Sequence, residues 1–277
     1  MNTRECQNSL SFREKYLENG LVKGLVRLPR SLLSNMRESL DRLMHDNPDI
    51  PPESLICPHI PYGQNHNSSS AKLWFDYINH PDLLDMVELL IGPNIVLWGS
   101  QVFCKPASVG KGVPWHQDGQ YWPISPLVTC SVWVALDGTN SENGCMRYIP
   151  GSHRERKIFP HQIEHNKNSV LGEEIFIDSK DLNDAKDNVL QPGEVSLHDA
   201  FLIHGSNPNK SNKRRAGFVI RYMPSSSVFM RSSGRKTQSG VSFDMNTRPI
   251  WLVRGKNENS ENDYEIGHYE NYLLAPE

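Results

Sequence analysis

Apolar residues recur at steps of three and four positions in two segments of the first hundred residues. In the first segment, residues 31–45, Ser31 is a residue type that caps helix N-termini, and the apolar positions after it are Leu32, Leu33, Met36, Leu40 and Met44. Residues 82–91 repeat this spacing and end at Gly92-Pro93, a stop signal. The pattern predicts amphipathic helices in a helical N-terminal part, residues 1–94, with a polar loop over 46–70.

The period changes to two from residue 95 onward. Short β-branched and aromatic runs bounded by Pro, Gly and Asn read IVLWGSQVFCKP, VTCSVWVAL, CMRYIP, VSLHDAFLIHG and RAGFVIRYMP. Helices followed by many short strands predict a mainly β fold, a sandwich or jelly-roll barrel with flanking N-terminal α-helices. We expect a single domain over 1–277, with the jelly-roll core at about 95–224 and a polar C-terminal extension over 225–277.

Composition and charge narrow the class of protein. With 37% hydrophobic and 22% charged residues and a mean hydropathy of -0.55, the 277-residue chain is expected to be globular and water-soluble. No apolar run is long enough for a membrane span and the N-terminal segment lacks the apolar core of a secretory signal, so we expect a cytoplasmic protein without a membrane partner. A net charge of -3 argues against nucleic acid as a partner. Monomer and homodimer both stay open.

The segment VPWHQDGQYWP, residues 113–123, contains a candidate metal site. Residues i and i+2 of a strand point to one face, so His116 and Asp118 can offer a nitrogen and a carboxylate oxygen to one ion. His204, at the end of a later strand, supplies a third ligand. Two histidines and one carboxylate leave three positions of an octahedron open, as is typical of non-haem iron(II) oxygenases. Arg215, on the next strand, can hold the far carboxylate of a keto acid bidentately.

The same three ligands fit two other classes of protein. A zinc hydrolase could use them, and a non-catalytic metal-binding barrel could use them to sense or store a ligand. Both alternatives leave Arg215 without a co-substrate to bind, and the hydrolase also leaves Ser206 unexplained. The His-x-Asp pair alone is a weak signal, whereas the combination with Arg215 favours an oxygenase.

The joint pattern resembles the phytanoyl-CoA dioxygenase family from about Trp98 to Pro224, in the order, spacing and flanks of three motifs. They read WHQDGQYWPISPL, WVALDGTNSENGCMRYIPGSH and PGEVSLHDAFLIHGSNPNKSNKRRAGFVIRY. The resemblance implies a double-stranded β-helix, iron(II), and 2-oxoglutarate and O2 as co-substrates, with ascorbate sustaining activity. It also implies hydroxylation of an unactivated C–H bond of a small-molecule substrate, with release of succinate and CO2.

Carried over to this chain, the resemblance assigns residues to the iron and co-substrate sites. The implied iron ligands are His116, Asp118 and His204, and the implied main anchor for 2-oxoglutarate is Arg215. Further polar or aromatic contacts in the co-substrate pocket are implied for Ser206, Trp133, Lys105 and Gln101. Because Asp118 stands where halogenating relatives have a small residue, hydroxylation is expected rather than halogenation.

Several residues near the metal pair, or on inward strand faces, are candidates for substrate contact. They are Gln120, Tyr121, Trp122, Asn143 and Arg221. The aromatic pair either packs at the barrel rim or forms a substrate wall that cradles an ammonium group. A later loop with Arg231, Arg235 and Lys236 either grips an anionic headgroup or is simply solvated. These hints favour a small polar substrate such as an aminophosphonate or quaternary-ammonium phosphonate, as in a bacterial organophosphonate-hydroxylase branch; an acyl thioester or secondary metabolite is the alternative.

Other polar residues close to these motifs are assigned different roles. Strand alternation puts Arg214 on the opposite face from Arg215, and only an inward arginine requires a partner. His198 and Asp199 form a second pair, but no arginine lies eleven residues after His198. We therefore expect His198 to be structural and Asp199 to fix a turn or orient a ligand. His153 is expected to fix its loop by hydrogen bonding.

Overall fold

The N-terminal periodicity forms helices, in a computed structural model that describes residues 3–61, 66–163, 169–178, 182–231 and 245–268, with side chains from residue 9 onward. The α-helices are α1 (Thr3–Asn19), α2 (Arg30–Asp46), α3 (Ala71–Ile78) and α4 (Pro81–Ile91). The predictions for α2 and α4 are confirmed to within one residue at each end. No helix among the described residues is long and apolar enough to cross a membrane.

The predicted helix ends differ in outcome. Helix α4 stops before Gly92, whose φ of 91° favours glycine, and this confirms the predicted stop. The predicted N-cap Ser31 is wrong, because α2 begins at Arg30 after the extended Pro29 and no side chain caps it. Proline fixes its own φ and thereby lets the helix start one residue earlier.

Fifteen strands are present in the described part of the chain. In order they are β1 (Leu21–Arg27), β2 (Leu55–Ile56), β3 (Ile95–Lys105), β4 (Val113–His116), β5 (Ile124–Ser125), β6 (Cys130–Ala135), β7 (Met146–Tyr148), β8 (Gln162–Ile163), β9 (Glu173–Glu174), β10 (Lys186–Asp187), β11 (Glu194–His198), β12 (His204–Ser206), β13 (Arg215–Pro224), β14 (Val228–Phe229) and β15 (Trp251–Arg254). The five predicted runs correspond to β3, β6, β7, β11 with β12, and β13.

Two antiparallel sheets form the barrel. The major sheet has the order β1-β11-β6-β13-β3-β15, with β2 also paired to β3, and the minor sheet has the order β10-β7-β12-β4. Residues of both sheets line one cavity, so the sheets face each other around it. Short pairs β5-β14 and β8-β9 lie outside the two sheets. The predicted mainly β fold, a double-stranded β-helix of the jelly-roll type with flanking helices, is confirmed.

Alternation along β13 separates the core from the barrel interior. Phe218, Ile220 and Tyr222 are fully buried against the N-terminal helices, and the Phe218 ring lies 4.7 Å from that of Trp74 in α3. Residues of the other parity face the space between the sheets. The helices thus bury one face of the major sheet, as expected for a sheet that is apolar on that side, and leave the opposite face for polar side chains.

Strands β1 and β15 lie outside the predicted core of about 95–224, yet both belong to the major sheet. Strand β1 lies in the N-terminal part that was predicted to be helical, but it pairs with β11. A Cβ at Gly24 of β1 would lie 3.0 Å from Met86 Sδ and 3.2 Å from Val195 Cβ. A glycine therefore permits close approach of this strand to its neighbours. The short strand β15 lies within the segment predicted as a polar C-terminal extension and was not predicted.

Candidate active site

Two imidazoles lie side by side on the edge strand of the minor sheet and its neighbour. His116 on β4 and His204 on β12 are Cα partners across the antiparallel ladder, and their ring centroids are 4.2 Å apart. Residues directly opposite each other in such a ladder project from the same face. Pairing of β4 with β12 therefore brings the two predicted histidines together, although 88 positions separate them in the sequence.

The carboxylate of the triad comes from a turn rather than from the strand itself. Strand β4 ends at His116, and Asp118 begins a 3-10 turn (Asp118–Gln120). Gln117 between them is extended, with φ -117° and ψ 127°, so the alternation of side chains continues for one more residue. The Gln117 amide donates to the carbonyls of Lys157 and Phe201, which fixes the turn in place.

The three side chains are close enough to hold one metal ion. Asp118 Oδ1 lies 3.5 Å from His116 Nε2 and 4.0 Å from His204 Nε2, and one ligand atom from each residue falls within a mutual distance of 4.8 Å. Ligands about 2.1 Å from an ion and at right angles to each other are separated by roughly 3 Å. A small inward shift therefore completes a facial triad of two nitrogens and one oxygen.

Backbone carbonyls set the tautomer of both histidines. His116 Nδ1 lies 2.9 Å from the carbonyl oxygen of Pro114, and His204 Nδ1 lies 2.9 Å from that of Leu202. Because a carbonyl only accepts, each Nδ1 carries the proton and each Nε2 lone pair points toward Asp118. Burial, aided by the neighbouring His116, lowers the pKa of His204 to about 3, so its imidazole is neutral and able to ligate a metal.

His198, which was predicted to be structural, also contacts the triad. It is buried on β11, and its Nε2 lies 3.4 Å from Asp118 Oδ2, the oxygen opposite His116. Burial opposes ionisation of Asp118, but the neighbouring imidazoles, His198 among them, hold the pKa of that carboxyl well below its usual range. The signal that could have found His198 is its inward parity on β11.

Arg215 lies in the cavity beside the triad. This cavity, of about 50 Å3, is lined by residues of both sheets, among them His116, Asp118, His204, Trp133, Ser206 and Arg215. Arg215 Nη2 donates to the Gly144 carbonyl at 2.7 Å, and no described residue accepts from its Nε. Burial lowers the pKa of Arg215 to about 10, which keeps the guanidinium charged at neutral pH. A buried, charged and incompletely paired arginine suits an anionic co-substrate.

Lys105 supports this cavity from behind. It is the Cα partner of Arg215 on β3, and its Nζ donates to Ser206 Oγ at 2.7 Å and to the Asn207 carbonyl at 2.6 Å. Burial, together with the charge of Arg215, lowers the pKa of Lys105 to about 6. Lys105 thus fixes Ser206 next to Arg215, at the end of the cavity away from Arg221.

These positions match those of a known enzyme family. A family model of phytanoyl-CoA dioxygenase matches residues 31–217 of the chain. The chain belongs to the phytanoyl-CoA dioxygenase family. The peroxisomal phytanoyl-CoA dioxygenase of Mus musculus is 30% identical over 281 residues, which cover 90% of this chain and 82% of the mouse protein. A probable alpha-ketoglutarate-dependent hypophosphite dioxygenase of Stutzerimonas stutzeri is 32% identical over 164 residues, 54% of each chain.

Solved structures share the fold. The non-heme monooxygenase ThoJ in its apo form superposes with a TM-score of 0.70 at 25% identity, covering 95% of this chain and 92% of ThoJ. CytC3 with Fe(II) and alpha-ketoglutarate superposes with a TM-score of 0.61 at 21% identity and covers 91% of each chain. Family membership and the triad make the protein an iron(II)- and 2-oxoglutarate-dependent dioxygenase, and they exclude the sensor barrel and the zinc hydrolase as its primary class.

In this phytanoyl-CoA dioxygenase family member, a second and larger cavity lies in front of the triad. Its volume is about 360 Å3, and it shares Phe103, Val113, His116, Asp118 and Arg221 with the co-substrate cavity. Tyr121 and Trp122, two predicted substrate contacts, line it. Gln101 also lines this outer cavity rather than the co-substrate cavity, where the sequence analysis expected it. Its amide oxygen accepts from Arg221 Nη2 at 3.0 Å.

The aromatic rings of the outer cavity are already occupied by a cation of the protein. Arg221 lies 5.9 Å from the ring centroid of Trp98 and 5.6 Å from that of Trp122, and these two rings pack edge to face. Of the predicted aromatic pair, Trp122 therefore already contacts the guanidinium of Arg221, while Tyr121 lines the cavity.

Two predicted substrate contacts do not reach either cavity. Asn143 uses its amide within its own turn, where Oδ1 accepts from the Asn140 backbone and Nδ2 donates to the Gly138 carbonyl. Gln120 is not among the described residues that line the two cavities. Its turn directs Tyr121, the next residue, into the outer cavity instead.

The remaining candidates lie away from the triad. Arg214 pairs with Asp137 and Asp41, on the outer face of β13 as alternation required. Asp199 binds Arg156 and the Phe201 backbone, so it fixes a turn, and His153 Nε2 contacts the Leu17 carbonyl, as expected for a loop-fixing histidine. Arg231 donates to the backbone carbonyls of Arg248 and Asp263. Arg235 and Lys236 lie outside the described residues.

Proposed function

We propose that this dioxygenase hydroxylates a C–H bond of a small polar substrate. One O2 and one 2-oxoglutarate are consumed per turnover; one oxygen atom enters the substrate as hydroxyl, the other enters succinate, and CO2 leaves. The observation that carries the proposal is Asp118, which offers a carboxylate beside the two histidines. The Asp118 carboxylate fills the position that a halide takes in halogenating relatives, where a small residue replaces it, and this supports hydroxylation over halogenation.

The roles proposed for the polar residues follow from their donors and charges. His116, His204 and Asp118 would hold iron(II), since they present two unprotonated nitrogens and an ionised carboxylate. When bound, the iron activates O2 with electrons from the keto acid. Arg215 would bind the far carboxylate of 2-oxoglutarate, with Ser206 beside it and Trp133 as the wall. His198 would orient Asp118 through its second oxygen.

The substrate class is supported by the size of the outer cavity and by one relative. A volume of about 360 Å3 suits a small molecule. The relative named as a probable hypophosphite dioxygenase supports a phosphorus-containing substrate such as a phosphonate, while the mouse relative's name points to acyl thioesters. We favour the phosphonate class, with the acyl thioester or a secondary metabolite as the alternative. A cytoplasmic location, and a monomer or homodimer, stay predictions from the sequence.

Succinate release tests the function. Purified protein with iron(II), ascorbate, O2 and 2-oxoglutarate is assayed across phosphonates, phosphite, hypophosphite, small amines, amino acids and acyl thioesters. We expect one phosphonate to stimulate succinate release well above the uncoupled background and to gain one oxygen from O2, as seen by mass spectrometry. His204→Ala serves as the inactive control. Stimulation by an acyl thioester alone would overturn the substrate class, and chlorination of a product in chloride buffer would overturn hydroxylation.

A further inference from the structure

The outer cavity contains two arginines that form an ion pair with no carboxylate among the described residues. Arg221, on the inward face of β13, makes one side-chain hydrogen bond among the described residues, from Nη2 to Gln101, and its buried Nε has no described acceptor. A guanidinium carries five N–H donors, so most of its capacity is unused. The charge of Asp118 acts on Arg221, but the oxygens of that carboxylate face His116 and His198.

Arg248 reaches the same cavity from the C-terminal part of the chain. Its Nη1 donates to Cys57 Sγ at 2.7 Å, and its Nε has no described acceptor. A thiol is a weak acceptor and does not neutralise a guanidinium. The positive charge of Arg248 also acts on Arg221: burial, together with this repulsion, lowers the pKa of Arg221 despite the attraction of Asp118. Two positive charges therefore line the same partly buried cavity.

Four other arginines form short ion pairs with carboxylates. In the described residues, Arg147 pairs with Asp187, Arg156 with Asp199, Arg214 with Asp137, and Arg254 with both Asp85 and Glu88, each within 3.0 Å. No described carboxylate forms such a pair with the two cavity arginines. Glu53, the other acid of the cavity wall, lies 3.8 Å from Lys111 Nζ. A partly buried cation without a carboxylate partner among the described residues is stabilised when an anion binds beside it.

We propose that Arg221 and Arg248 together bind an oxyanion headgroup of the substrate, a phosphonate or carboxylate. This inference rests on the proposed function and names the charge of its substrate. Trp98 and Trp122 contact the Arg221 guanidinium and Gln101 accepts a hydrogen bond from its Nη2, so the arginine is held in position before the ligand binds. Guanidinium groups bind such anions through paired N–H donors.

The position of this site also bears on where the substrate is oxidised. Arg221 lines both cavities together with His116 and Asp118. A headgroup held by Arg221 therefore lies in the space that borders the metal triad. The carbon presented to the iron is one close to the headgroup, rather than one at the far end of a long chain. We expect oxidation next to, or one carbon away from, the charged group.

Anion titration without O2 tests the site. The protein is loaded with iron(II) and saturating 2-oxoglutarate, so that the metal and Arg215 are occupied, and methylphosphonate, phosphite or acetate is added. Binding is measured by calorimetry and by the shift of the visible charge-transfer band of iron-bound 2-oxoglutarate. We expect one anion per chain to bind, and uncharged dimethyl methylphosphonate not to bind. Arg221→Gln and Arg248→Gln should each weaken the anion at least tenfold, because a charge-assisted hydrogen bond is lost.

Matched variants separate this effect from misfolding. Arg221→Lys keeps the charge and should recover part of the affinity, whereas Arg254→Gln, which removes an arginine that pairs with Asp85 and Glu88, should bind the anion like the wild type. Thermal melts of each variant report folding.

Equal anion binding by wild type and both glutamine variants would overturn the proposal, as would the absence of anion binding with the charge-transfer band intact. If Arg221→Gln instead loses 2-oxoglutarate and keeps the anion, Arg221 belongs to the co-substrate site and the proposal is also overturned. If the wild type itself shows no charge-transfer band, the proposed function fails. The same calorimetric titration of the protein alone then still decides whether the two arginines bind anions.

Discussion

The packing of Trp133 on Gly217 gives a sharp test of how the co-substrate cavity is built. Trp133 on β6 points inward over β13, where a Cβ built on Gly217 would lie 2.0 Å from Cζ2 of the ring and 2.4 Å from Cε2. Carbon atoms in contact are normally about 3.5–4.0 Å apart. Gly217→Ala therefore forces the indole away from the strand, toward Arg215, whose guanidinium carbon lies 5.6 Å from the ring centroid.

The cost combines two opposing effects. Overpacking of a buried site costs about 1–3 kcal/mol. Replacing a strand glycine by alanine recovers about 0.5–1 kcal/mol by reducing the entropy of the unfolded chain. We expect a net loss of about 1–2 kcal/mol. An unfolding entropy of about 2.1 cal/mol/K per residue makes 1 kcal/mol equal to about 2 °C for a chain of this length, so Tm should fall by about 2–4 °C.

The assay pairs a thermal melt with anaerobic titration of 2-oxoglutarate. Gly217→Ala should lower Tm and weaken 2-oxoglutarate, while iron binding persists because the triad is on other strands. Gly99→Ala on the neighbouring β3 is the control, since its Cβ would meet Arg248 Nη1 at 3.9 Å and Cys57 Sγ at 4.0 Å, which is ordinary contact. Its Tm should stay equal or rise slightly. A Gly217→Ala protein with unchanged Tm and unchanged co-substrate affinity would refute the proposed wall.

Four further outcomes are expected. Arg215→Ala should raise the 2-oxoglutarate concentration for half-saturation at least tenfold without changing iron content, measured by anaerobic titration. His204→Ala should abolish iron-dependent succinate release, whereas Asp118→Gly should gain azide or chloride binding at the iron, followed by absorption spectroscopy. Lys105 binds a proton less readily in the folded chain, with a pKa of about 6, than in the unfolded chain, with one near 10.5. The unfolded state thus holds more protons between these values, so metal-free protein should become more stable as pH rises from about 6 to about 10, and Lys105→Met should flatten that slope.

The fold could be predicted where the periodicity was long and unbroken. Strand β13 carries ten residues of clear alternation, and α4 ends in a glycine with positive φ, so both were found. Strand β1 was not predicted because its sequence LVKGLVR has neither a strict alternation nor a turn signal within it. It forms a strand by pairing with β11. Edge strands depend on tertiary pairing, which local propensity does not contain.

Site residues could be predicted where their position along a strand determines which way the side chain points. His116, His204 and Arg215 lie on strands whose inward parity the motifs define. Gln101 shares that parity with Lys105, but four residues along a strand correspond to about 13 Å, which moves its side chain from one cavity to the other. The amide of Asn143 bonds within the turn that holds it, and such local hydrogen bonding, which is common for asparagine, does not show in the strand pattern.

The outer cavity shows why the type of reaction could be predicted from the sequence but the substrate could not. Its wall combines Glu53 before the barrel, Trp98 on β3, Trp122 after the metal turn and Arg248 near the C-terminus. No local pattern links segments so distant in sequence. Parity predicted that Arg221 points inward, but not that its guanidinium lies over the two tryptophan rings. That contact bears on which charged group of the substrate the cavity faces: rings that would otherwise attract an ammonium group instead hold a cation that attracts an oxyanion. The proposed oxyanion site thus depends on tertiary packing around Arg221 and Arg248, while the oxidation chemistry follows from strand pairing that the motifs already contain.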